Sequence, residues 1–323
     1  MAKDLVDDLS SLRRHRYLLL TASVLTYLLI TMGGVVCVTE SGRGCPDWPF
    51  CYGQPIPPAQ INAIIEYTHR FVALLTTPFI LAAAIVGWRR FRALGWVSRP
   101  PVISIVFLLA VIVFGAFAVL TGLAPGAAAL DLGSALIVLI LLATATVAAF
   151  VHYKDPARPD RLSFQSPFAR LSLATLVANY AVLVSAVLVA KPGSVTRCLG
   201  WPLFSVGVFP LGLGNWPQTV RVIIAAAATL LALAVLVQAW RTQRENAGIT
   251  PAASVMAVLL LVEAGAGALM AALGLSAGWL IIYVAAAGGQ LAALVVLTVL
   301  AGMSPSQPAP VPAGKAETAS GMA

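Results

Sequence analysis

Charge is scarce in this sequence. Asp, Glu, Lys and Arg together make up 10% of the 323 residues, against roughly 25% in an ordinary soluble domain. Hydrophobic residues supply 60%, and the mean hydropathy is +0.92. A water-soluble core of that composition would be left almost without a polar skin, which excludes a soluble globular domain. Alternating apolar and polar segments are also missing, which excludes a membrane β-barrel. Histidine occurs only three times, a shortage that bears on any metal chemistry.

What the sequence does have is continuous apolar runs, each near the ~20 residues needed to cross the hydrocarbon of a bilayer. They predict helices at 16–38, 63–88, 102–122, 127–151, 170–190, 218–240, 252–273 and 277–301. The expected fold class is an all-α integral membrane protein with eight transmembrane helices. The first run is too long for a signal peptide and is followed by no small-residue cleavage site. The net charge of +8 follows the topology rather than marking a nucleic-acid surface. Lys3, Arg13, Arg14, Arg16, Arg89, Arg90, Arg92, Arg99, Lys154, Arg158, Arg161, Arg170, Arg241, Arg244 and Lys315 all fall on one side of these spans. By the positive-inside rule that side, with both termini, is cytoplasmic, and the chain is a multi-pass protein of the cell inner membrane.

The polar, proline-rich stretch 152–169 divides the chain into an N-terminal half, 1–151, and a C-terminal half, 170–303; the Pro/Ala/Ser-rich tail 304–323 is expected to be disordered. The two halves echo each other. Cys45 precedes Trp48-Pro49 as Cys198 precedes Trp201-Pro202, and Thr68-His69-Arg70 parallels Thr219-Val220-Arg221. TGLAPGAAALDL at 121–132 parallels LGLSAGWLIIYV at 273–284. Near-constant offsets over three segments point to duplication of a four-helix unit, with the repeats running parallel.

Ionisable groups inside a membrane are costly and therefore informative. Glu66, His69 and Arg70 in IEYTHRFVALL share one helical face. They read either as an interfacial Glu66–Arg70 pair beside an uninvolved imidazole, or as a haem or metal ligand, His69, next to an acid or base, Glu66. Cys45 and Cys51 lie in one extracytoplasmic loop, where thiols tend to oxidise to a disulfide; the other reading is two unpaired thiols. Cys37 reads as a packing residue, and Cys198 has no partner in its own loop. Asp131 reads as a helix cap or a proton-path group, and Glu263, deeper in its helix, as a stronger candidate for function with no visible partner. Asn179 and Tyr180 are placed to hydrogen-bond between helices, whereas His15 and His152 sit in basic segments and read as solvated.

The run GCPDWPFCYGQPIPP followed by IEYTHRFVALL resembles the first outer loop and second helix of haem A synthases, and TGLAPGAAALDL resembles that family's turn into helix four. The resemblance implies oxidation of a ring methyl of haem O, through an alcohol, to the formyl of haem A, which goes to terminal cytochrome oxidases. It implies haem O as substrate in the first half and a haem b in the second, each held by two histidines. It assigns catalysis to Glu66, iron ligation to His69 and a disulfide to Cys45 and Cys51. At the other three histidine positions this chain has Asp131, Val220 and Tyr283. Asp131 and Tyr283 are weak candidates for ligation through oxygen, and Val220 ligates nothing, so the haem b site is not expected in its usual form. Expected partners are membrane lipid, haem, a haem O synthase or cytochrome oxidase subunits, and no nucleic acid. An oligomer in which a second copy completes the site stays open. So does a non-catalytic relative that binds haem or assists oxidase assembly.

Overall fold

A computed structural model describes residues 2–189, 198, 216–274 and 276–304. Eight helices follow in order: α1 Ala2–Val38, α2 Ile61–Arg90, α3 Gly95–Leu120, α4 Pro125–Lys154, α5 Pro167–Val189, α6 Trp216–Thr242, α7 Ile249–Leu273 and α8 Ala277–Met303. All eight are long and apolar enough to cross a membrane, and no strand occurs among the described residues. Lipid offers no hydrogen-bond partner to a peptide group, so each span closes its own backbone bonds. Lipid also explains side chains such as Leu74, Val106 and Leu261, which stand two-thirds exposed on the outer helix faces.

The expected spans are all present, most of them longer by a few residues. Pro125 and Pro167 open α4 and α5, where a missing N–H costs nothing because the first turn has no intrahelical acceptor for it. α3 starts at Gly95 and runs through Pro100 and Pro101 rather than beginning after them. The prolines fall early in the helix, where few backbone bonds are forfeited. The segment between α4 and α5 is shorter than expected and is tied down. His152 Nε2 and Asp160 Oδ1 are 3.0 Å apart, the Trp96 N–H donates to Asp160 Oδ2, and the Ser163 N–H donates to the Gly302 carbonyl. His15 and His152 are buried, not solvated as expected: His15 stacks on Phe91 with ring centroids 4.9 Å apart, and His152 belongs to this linker clasp. The tail expectation falls on 305–323, outside the described residues.

The helices form two tandem four-helix bundles with matching neighbours. α1 packs on α2 and α4, and α3 on α2 and α4; α5 packs on α6 and α8, and α7 on α6 and α8. In each bundle the second and fourth helices therefore stand diagonally across the interior. The bundles meet along α1, α4, α5 and α8, and α4 and α8 are the most buried spans. We call the end bearing residues 39–60 the loop face and the opposite end the arginine face.

Candidate functional site

The loop between α1 and α2 is built onto the first turns of α2. Cys45 and Cys51 form a disulfide and are both fully buried. Asp47 accepts backbone N–H bonds from Tyr52 and Gly53 at 2.6 Å each. The Gly53 bond above all, with that of Tyr52, holds the Asp47 carboxyl below the usual carboxylate range. Arg70 reaches up from α2 and donates to the carbonyls of Asp47 and Phe50 at 2.8 Å, to that of Cys45 at 3.3 Å, and to Glu66 Oε1. Glu66 Oε2 in turn accepts the Cys45 N–H at 2.8 Å. Glu66 is 3% exposed, and both of its oxygens are engaged. The interfacial Glu66–Arg70 pair thus exists, and it also clamps the disulfide loop onto the helix.

One turn further, His69 enters the bundle. Its Cε1 lies 3.2 Å from where a side chain on Gly33 of α1 would begin, so the glycine lets the ring pack close against the α1 backbone. Its Nδ1 is buried and has no hydrogen-bond partner among the described residues. Asp131 stands on α4, diagonal to α2, with Oδ1 similarly buried and unpartnered among the described residues and with Gly115 of α3 giving it room. His69 lies about two turns into α2 and Asp131 just under two turns into α4, which places both roughly 10 Å below the loop-face helix ends. Asp131 lies beyond the first turn, and the residue before α4 is Ala124, so it is not a helix cap.

The second bundle differs at the matching positions. Val220 is 44% exposed on the outside of α6. Tyr283 is fully buried among Val38, Met270 and Leu280, and its hydroxyl hydrogen-bonds Glu263, the partner that the sequence did not reveal. Arg221 is buried and faces Tyr283 electrostatically. Cys37 and Cys198 are not separate residues: they form a second disulfide, sequence separation 161. Gly33, Gly115 and this disulfide escaped sequence reasoning because close approaches and long-range pairings have no local signature.

The family model for cytochrome oxidase assembly proteins of the COX15-CtaA type matches residues 16–300. The chain belongs to that family. Proteins named "Heme A synthase" are similar to this COX15-CtaA member. One from Halalkalibacterium halodurans is 31% identical over 192 residues, covering 58% of this chain and 61% of that protein. Another from Geobacillus thermodenitrificans is 28% identical over 253 residues, covering 77% and 80%. A third from Bacillus licheniformis is 28% identical over 255 residues, covering 77% and 83%. The chain thus spans less than two thirds of the first relative's length and most of the other two. For a COX15-CtaA member, a buried imidazole with a free nitrogen opposite a carboxyl, each next to a glycine, is a donor set that suits one axial bond to a haem iron.

Proposed function

We propose that this chain is a haem A synthase-like protein that takes haem O as substrate in the first bundle and oxidises one ring methyl to the formyl of haem A, for terminal oxidase biogenesis. The observation that carries the reading is His69: it sits inside the bundle at the depth of Asp131, with an unpartnered nitrogen and a glycine making room for its ring. When bound, the haem supplies the iron and the methyl group. The chain's own residues do the rest of the work. His69 would hold the iron through a ring nitrogen, with Asp131 an oxygen donor on the diagonal helix, and the Glu66–Arg70 clamp holds the disulfide loop over the loop-face end of the bundle. Glu66, three residues before His69, is the proposed catalytic carboxyl.

In this reading the division into 1–151 and 170–303 is functional as well as architectural, and haem b is not held in the second half. Val220 points outward there, and Tyr283 gives its hydroxyl to Glu263 and carries no axial role. In the same reading the arginine face and both termini lie in the cytoplasm and the loop face outside the plasma membrane, as the positive-inside rule favours. A haem O synthase and cytochrome oxidase subunits are the proposed partners.

The test is co-expression with a source of haem O, followed by pigment extraction. Formyl haem that disappears with His69→Ala and Glu66→Gln is the expected result. Haem retained without conversion leaves a binding protein, and no haem under replete conditions overturns the reading.

A further inference from the structure

The middle of the second bundle holds a polar chamber that the haem reading does not use. Each of its four helices contributes one polar side chain: Asn179 from α5, Thr229 from α6, Glu263 from α7 and Gln290 from α8. Measured along the helices from the loop face, Asn179 and Glu263 lie about 15 Å deep and Thr229 and Gln290 about 20 Å. That is the centre of a hydrocarbon layer ~30 Å thick. Glu263 is 6% exposed and Gln290 3%. Four polar groups converging at the bilayer midplane are costly, and four independent helices do not place them there by composition alone.

The cavity between them measures about 20 Å³, room for one water, which needs roughly 10–15 Å³ and two to four polar partners. Hydrogen-bond chemistry specifies the same occupant. The Thr229 hydroxyl spends its proton on the Ala225 carbonyl at 2.8 Å, so its oxygen is left only to accept. Asn179 Oδ1 is a buried acceptor with no partner among the described residues. Two acceptors facing one small cavity call for a molecule with two O–H donors. On the loop side a chain of polar groups continues from Glu263 through the Tyr283 hydroxyl bonded to it, and then to Arg221, both roughly 8–9 Å from the helix ends. Among the described residues, Tyr283 from α8 bonds Glu263, Arg221 from α6 faces Tyr283, and α5 brings the uncharged Asn179.

We propose that this chamber is a proton-holding site, with one water bound among Asn179, Thr229, Glu263 and Gln290 and the Glu263 carboxyl as the group that takes up and releases the proton. Uptake brings a proton in from solvent: the chamber water accepts it and passes one of its own to the Glu263 carboxylate, so the water is left unchanged. Release hands the proton to the Tyr283 oxygen while the hydroxyl's own proton passes to water on the loop side, so Tyr283 ends as it began. The site stands on second-bundle residues and does not depend on haem binding.

Infrared difference spectra of the full chain in lipid vesicles, between acidic and basic buffer, test it. The expected signal is a protonated-carboxyl C=O band that shifts in D2O, vanishes in Glu263→Gln, and moves in Tyr283→Phe and in Asn179→Leu. Glu263→Asp, which keeps a carboxyl in the chamber, should retain the band at a shifted frequency, so a Glu263→Gln variant that fails to fold does not leave the question open. A spectrum unchanged by Glu263→Gln overturns the proposal, because the band then arises from another carboxyl. A band abolished by sodium at constant pH also overturns it, in favour of an alkali cation site.

Discussion

Cys37, at the loop-face end of α1, is bonded to Cys198, which lies between α5 and α6, so a covalent bond joins the two bundles across 161 positions of sequence. A protease site inserted into the 155–166 connection should therefore give halves that run together on a non-reducing gel and separate when reductant is added. Cys37→Ser should release them without reductant and lower the thermal midpoint, by a destabilisation of about 2–4 kcal/mol.

Gly34 leaves no room for a side chain: a Cβ there would lie 2.2 Å from Val284 Cγ1 of α8. Gly34→Ala should cost about 1–3 kcal/mol through overpacking. The Val284→Ala change in the same chain should recover most of that loss. Thermal unfolding of the two single variants and the double variant, compared as a cycle, checks the coupling.

Arg70 serves three loop carbonyls and Glu66 from one planar group. Arg70→Lys keeps the charge but replaces a rigid fork by a point donor. The loop 44–58 should then be cut several-fold faster by protease, with the helices intact by circular dichroism. Glu66→Leu, which leaves the guanidinium without its buried partner, should destabilise by about 3 kcal/mol.

The loop should also respond to pH through Asp47. Its carboxyl is held below the usual range by the Gly53 and Tyr52 N–H bonds, so the folded loop is favoured above the ordinary Asp value near 3.9. That preference is lost as the pH falls through the lowered value of the folded state. Protease sensitivity of the loop should rise only in strong acid, and Asp47→Asn should flatten the dependence.

The eight spans, their order and the two-bundle arrangement were legible because hydrophobic length and repeat spacing are local properties of a sequence. Glu66, His69 and Arg70 were legible as a group because one helical face collects residues three and four apart. What the sequence withheld were relations between helices. Nothing near Cys37 announces Cys198, and nothing near Glu263 announces Tyr283. His15 and His152 looked solvated because their neighbours in sequence are basic, yet their neighbours in space are Phe91 and Asp160. The two bundles also differ in how deep their polar groups lie. The first bundle concentrates its ionisable groups near the loop face, but the second places Asn179, Thr229, Glu263 and Gln290 at its centre.

Gly33 and Gly34 are consecutive, and consecutive residues of a helix look outward about 100° apart. One therefore lies against the imidazole of His69 and the other against Val284, the residue after Tyr283. The two bundles share α1 as a partition, and it is bare backbone at both contact points. A few degrees of axial rotation in α1 would loosen one contact as it tightens the other, so whatever displaces the His69 ring bears directly on the packing of α8.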